Sequence, residues 1–153
     1  RSCRSILMED YKILLLKSGD VDKVWKGIKP LIEDGLSTID GNDVRKHLTT
    51  SDYYEWAKKD LIQVFIVVKE NKIKLMTITQ LLPYPRFKVL EYLMVSGVEL
   101  KEFSDRLAQT VEDFANAEKC ERMIVTARKG IKKYLKDWEE IKDKHQINLI
   151  KEL

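Results

Sequence analysis

The stretch Leu61–Leu82, "LIQVFIVVKENKIKLMTITQLL", constrains this chain more than any other. It consists of two runs rich in β-branched residues joined by the turn-like Lys-Glu-Asn-Lys, the pattern of a two-stranded hairpin. "PYP", Pro83–Pro85, follows directly. Proline has no N–H to give to a ladder, so the chain should bend out of the strand there. "FKVLEYLMV" then supplies a third strand. Strands joined this closely pair antiparallel, and every other element must pack on the meander they make.

The flanking segments switch to helical spacing. After an apolar run at Ile13–Leu16, Asp20 is placed to cap a helix whose face is Val21, Val24, Trp25, Ile28, Leu31 and Ile32. "TIDGNDVRKHL" reads as a turn and a short second helix, with Val44 and Leu48 on one face. Beyond the third strand, Leu100, Phe103, Leu107, Val111, Phe114 and Ala115 mark a long amphipathic helix. "RMIVTA" reads as a short strand, "KGIKKYLKDW" as a helix and "HQINLIKEL" as a closing strand. The expected order is helix, helix, three strands, helix, strand, helix, strand. Its strand-helix-strand crossovers favour parallel neighbours, so the fold class is α/β (α+β), a mixed, mostly antiparallel sheet with helices on both faces.

The 153 residues fit one domain, 1–153, of which residues 1–8 read as a leader. Hydrophobic residues at 44% and charged residues at 35% exclude a disordered chain, and no apolar run approaches the roughly 20 residues a membrane span needs. The charge of +3 comes from 28 basic and 25 acidic residues interspersed along the chain, which is a solvated surface more than a nucleic-acid footprint. One local bias stands out: Arg128, Lys129, Lys132 and Lys133, with Arg122 and Lys136 nearby. This is either a solvated helix face or a patch for weak contact with nucleic acid or an acidic protein face. Cys3 and Cys120 have no paired spacing, and His47 and His145 stand alone, so no metal site is expected. Cys120 also lacks a neighbouring histidine and is a poor nucleophile.

This order, with the segments "VWKGIKPLIEDGL", "LMTITQLLPYPRFKVL", "VSGVELKEF" and "ANAEKCERMIVTARKGIKKYLKDW" and the final "LIKEL", resembles the GNAT acyltransferase fold. It is similar in particular to a divergent set of small GNAT-like proteins of tailed bacteriophages. The likeness runs from Val24 to Leu153 through short motifs, and Ile131 stands where the phage pattern places a tryptophan.

The resemblance implies a cofactor site at the turn after the central strand, here Val95, Ser96, Gly97 and Val98, where backbone N–H groups at a helix start would meet the pyrophosphate of acetyl-CoA. It also implies a general acid at Tyr134, four residues before Trp138, with the ordinary aromatic pair as the plain reading. Glu91 and Glu70 are available as bases. The turn has a single glycine, and its acids Glu99 and Glu102 suit a bare helix start better than a bound pyrophosphate. The expectation is therefore a non-enzymatic phage protein of virion structure or assembly, without a cofactor, found in the virion or host cytoplasm. Its partners would be other virion or assembly proteins, or further copies joined through exposed sheet edges. The alternative is an active N-acetyltransferase using acetyl-CoA.

Overall fold

The computed structural model describes residues 11–39, 44–98 and 100–125. In chain order these form β1 (Tyr11–Leu15), α1 (Val21–Ser37), α2 (Thr50–Lys58), β2 (Gln63–Lys69), β3 (Lys72–Pro83), β4 (Lys88–Gly97), α3 (Lys101–Ala117) and β5 (Arg122–Val125). The strands lie side by side in that same order, β1 to β4 antiparallel and β5 parallel to β4. This is the mixed, mostly antiparallel sheet that the sequence predicts, with helices on both faces.

The sheet separates two cores. Val64, Ile66, Met76, Ile78 and Met94 face α1 and α2, while Phe65, Val67, Leu75, Leu90 and Tyr92 face α3. A strand buried on both faces reads as an unbroken apolar run, which is why "VFIVV" in β2 shows no polar alternation. The hairpin turn is Glu70–Asn71, with φ of 53° and 61° between the paired Lys69 and Lys72. Two positive φ values in a two-residue loop make the type I′ turn, whose twist matches that of the flanking strands.

Three features depart from the expected order. First, Tyr11–Leu15 is a strand on the sheet edge, where the sequence shows only a short apolar run. Second, the expected second helix is a 3-10 turn, Val44–His47, and the true α2 begins at Thr50. Its start is fixed by Asp52, whose Oδ2 accepts the Thr49 N–H at 2.8 Å. Third, β3 continues to Pro83, opposite Lys88. The β2 ladder stops at Thr79, so Pro83 lies where β3 has β4 on one side only and its missing N–H breaks no second ladder. The turn closes with Tyr84 N–H donating to Phe87 O at 2.8 Å and the two rings stacked. The expected helix at 129–138 and closing strand at 145–153 lie outside the described residues.

Helix α1 approaches the sheet through glycines. A Cβ on Gly35 would stand 2.4 Å from Met94 Sδ, so a side chain there would displace Met94 on the central strand. Asp20 occupies the cap position of α1, yet its carboxylate pairs with Lys23 rather than with the backbone. At the same end Asp22 ties α1 to α2, accepting hydrogen bonds from the Tyr54 hydroxyl and from Lys58 Nζ, while Trp25 packs edge-on against Tyr54. The hydrogen bond from Lys58, then that from Tyr54, lowers the Asp22 pKa from its ordinary 3.8. A depressed carboxylate stabilises the fold above its unfolded pKa, and that contribution disappears as pH falls through the folded one. Asp22→Asn should therefore flatten the loss of Tm below about pH 4 and leave the profile near pH 5–6 parallel to wild type. Thermal melts across that range read the difference.

Candidate active site

Strand β4 changes phase along its length. Ile78 faces Met94 but the next residue, Thr79, faces Tyr92, so Leu93 is an extra residue, a β-bulge. Before the bulge Leu90 and Tyr92 face α3; after it Met94 faces α1, and Leu93 packs on that side too. Ser96, opposite Met76, follows Met94 onto the α1 side and is buried, while Val95 emerges on the other side. Arg45 Nη1 donates to Leu93 O at 3.4 Å and Thr77 Oγ1 donates to Met94 O at 2.7 Å.

The strand ends against a second bulge. Val67 faces Leu75 and Val68 faces Ile73, which leaves Lys74 as the extra residue of β3. Lys74 O accepts the Val98 N–H at 2.7 Å, and Gly97 lies against the same carbonyl with φ of 130°. The chain then enters α3 at Leu100, which provides no side-chain cap for the first helical N–H groups. Ser104 N–H closes the first turn on Leu100 O. Val95, Val98 and Leu100 are 41%, 44% and 47% exposed, an apolar rim beside the start of α3.

The structure thus brings Val95, Ser96, Gly97 and Val98 together as a bulged strand end leading into a helix. Glu102 stands in the first turn of α3 as expected; Glu99 lies outside the described residues. Lys101, the first helical residue, sets a positive charge beside those acids that their pattern alone does not reveal, and its Nζ pairs with Asp105 at 2.6 Å. Glu91 is half-buried on β4, on the face opposite Leu90 and Tyr92 and therefore on the α1 side. Glu70, at the exposed hairpin turn, is less suitably placed for chemistry. Tyr134 and the patch Arg128, Lys129, Lys132 and Lys133 lie outside the described residues.

Other titratable groups nearby are structural. Burial, and then the charge of Glu112, pushes the Tyr92 phenol far above its ordinary pKa, so it stays neutral. Desolvation raises the half-buried Cys120 thiol, the wrong direction for a nucleophile. Among the described residues no group of three or more His, Cys, Asp or Glu is placed to hold a metal, and no helix is long and apolar enough to cross a membrane.

The donor set fits a phosphorylated thioester cofactor. Uncapped N–H groups at a helix start suit a pyrophosphate, and the exposed apolar rim before them suits an uncharged arm. The glycine does not add to this fit, because its conformation is demanded by β3.

No protein-family model matches the sequence, and no curated protein matches it significantly. Solved structures do. An aminoglycoside acetyltransferase from an uncultured soil metagenomic sample, in complex with sisomicin, is 14% identical with a TM-score of 0.70, over 96% of this chain and 99% of that one. A predicted acetyltransferase from Clostridium acetobutylicum, with acetyl-CoA, is 11% identical with a TM-score of 0.66, over 92% and 96%. A GNAT family acetyltransferase from Staphylococcus aureus is 14% identical with a TM-score of 0.64, over 92% and 99%. These matches overturn the expectation of a non-enzymatic virion protein: the neighbours are acetyltransferases, one of them with the cofactor that the acidic turn was expected to exclude. The chain has the fold of the GNAT acetyltransferases.

Proposed function

We propose that the protein is an N-acyltransferase that takes its acyl group from acetyl-CoA. The observation that carries this reading is the end of β4: bulged, apolar and exposed, and leading into a helix start without a side-chain cap. The likeness of the whole fold to acetyltransferases supports it.

Bound acetyl-CoA would supply an acyl group activated as a thioester. Val95 to Val98 would flank the arm, and the N–H groups at the start of α3 would meet the pyrophosphate. An acceptor amine would enter from the α1 side, where Glu91 is placed to take its proton directly or through water. Glu91 would take the proton of the attacking amine and Tyr134 would give one to the departing sulfur, so that the acyl group of the thioester would pass to nitrogen with protons in balance. The products are an amide and a free thiol.

Calorimetric titration with acetyl-CoA tests the reading. We expect saturable binding with a dissociation constant between about 1 µM and 1 mM, the common range for enzyme substrates. Glu102→Gln removes a negative charge from the helix start and should tighten binding by about 2- to 5-fold, the effect of a few tenths to 1 kcal/mol. No heat of binding at millimolar cofactor would sink the proposal.

A further inference from the structure

At the Leu93 bulge two successive carbonyls accept hydrogen bonds from side chains on opposite sides of the sheet. Arg45, in the 3-10 turn between α1 and α2, reaches Leu93 O. Thr77, a fully buried residue of β3, donates its hydroxyl to Met94 O, the next carbonyl along. In a regular antiparallel ladder such carbonyls go to the backbone N–H groups of neighbouring strands. Each of these side-chain hydrogen bonds contributes about 0.5–1.5 kcal/mol at the place where β4 carries its extra residue, and together they favour the bulged register.

The register has a consequence at the site. A shift of one residue moves every following side chain to the opposite face of a strand. With the bulge, Met94 and Ser96 turn toward α1 and Val95 turns outward. Without it, Val95 would point into the α1 core and Ser96 would line the cofactor end.

We infer that Arg45 and Thr77 are positioning residues for acyl transfer, clamping the Leu93–Met94 bulge from both sides and so fixing the half of β4 against which the acyl group is presented. This rests on the transferase reading above, but the clamp itself can be read without turnover. Arg45 also couples the connector between α1 and α2, on the acceptor side, to the strand on the cofactor side. A loosened clamp should then slow the chemical step more than it weakens cofactor binding.

The test uses the whole chain with Arg45→Met and Thr77→Val, and with Arg45→Lys and Thr77→Ser as conservative partners that keep a donor. Hydrogen–deuterium exchange of the unliganded protein should rise about 10-fold at residues 93–97 in the first pair, the effect of one lost hydrogen bond, with α3 and β1 unchanged. The second pair should restore it. In turnover assays kcat should fall by about 10-fold or more in the first pair, because small misplacements at a reacting centre are costly, with KM for acetyl-CoA within about 3-fold of wild type.

Unchanged exchange at 93–97 would overturn the inference. So would exchange that rises evenly across the sheet with a matching fall in Tm, which is the signature of a merely structural role. A local rise that the conservative variants reverse supports the clamp even in a protein that binds no acetyl-CoA, and the failure then belongs to the transferase reading. Normal kcat in a variant with raised local exchange would remove the catalytic half of the inference.

Discussion

Gly97→Ala is expected to cost the fold about 3–5 kcal/mol, enough to lower Tm by about 10 °C. Two independent effects add. At φ of 130° a residue with a Cβ is strained, which costs about 1–3 kcal/mol. The new Cβ would also stand 2.4 Å from Lys74 O and 2.8 Å from Leu75 Cα, both backbone atoms of β3 that no side-chain rotation can move aside. The bulge at Lys74 is what brings that carbonyl so close, and the Val98 N–H bonded to it at 2.7 Å would have to shift as well. Gly19→Ala is the control, since nothing lies within 4 Å of a Cβ there and its effect should stay within about 0.5 kcal/mol. Thermal and urea melts of the two variants decide the matter. A Tm loss at Gly97 no larger than at Gly19 would show that the strand end tolerates a side chain, and the glycine would then have to be explained by a ligand.

Gly97 carries two meanings that this variant separates. Read as sequence, a glycine between a strand and a helix suggests a phosphate site, because backbone must approach the ligand closely. Here the close approach is to the protein's own β3. A Gly97 variant that failed to bind acetyl-CoA would say little about the cofactor, because the loss of fold comes first. Glu102 and Lys101, exposed at the start of α3, report on the ligand without that confusion.

The parts of the fold that were legible in the sequence are those whose burial is periodic or nearly continuous. The β2–β3 hairpin, β4, α1 and α3 each carry enough core positions to declare their type, and β5 is marked by its apolar run Met123–Val125 between polar residues. The edge strand β1 does not, since its burial is partial and it presents Leu14 and Leu15 largely to solvent. Helix α2 buries Tyr53 and Ala57 over its nine residues, too few for a clear period. Its start was nevertheless written in the chain: Thr49-Thr50-Ser51-Asp52 has the spacing of a capping box, and the Thr49 N–H to Asp52 bond realises it.

The strand-to-helix turn after β4 was legible in the sequence, but its geometry was not. Val95 to Gly97 close β4 and Val98 follows it, at the strand-to-helix turn read from the sequence. Neither bulge could be read, because a bulge is a property of pairing between strands far apart in the chain and no local pattern around Leu93 or Lys74 announces one. Arg45 was invisible for the same reason, as its bond to Leu93 O spans 48 residues. The two acids of the turn led the expectation away from an enzyme. Such charges act on a helix start by about 1 kcal/mol or less, which tunes the affinity for an anion and does not decide whether the fold can bind one.

Tyr134→Phe should lower kcat by about 100-fold or more while leaving acetyl-CoA affinity nearly unchanged, the pattern of a lost general acid. The substitution keeps the ring and removes only the hydroxyl. At neutral pH an alkyl thiol, with a pKa near 8.5, leaves more readily if it is protonated as the carbon–sulfur bond breaks, and a phenol with a pKa near 10 still carries its proton there. The gap between variant and wild type should therefore narrow above about pH 9, where the sulfur can depart as the anion and the wild-type phenol begins to ionise. Following thiol release between pH 6.5 and 10 gives both curves. A rate equal to wild type at pH 7 would remove Tyr134 from the chemistry. A uniform loss at every pH, with weaker acetyl-CoA binding in calorimetry, would instead assign the hydroxyl to cofactor contact. Neither result would touch the part assigned to Glu91, whose replacement by glutamine should lower the rate most at low pH, where the acceptor amine is most fully protonated and depends most on a base.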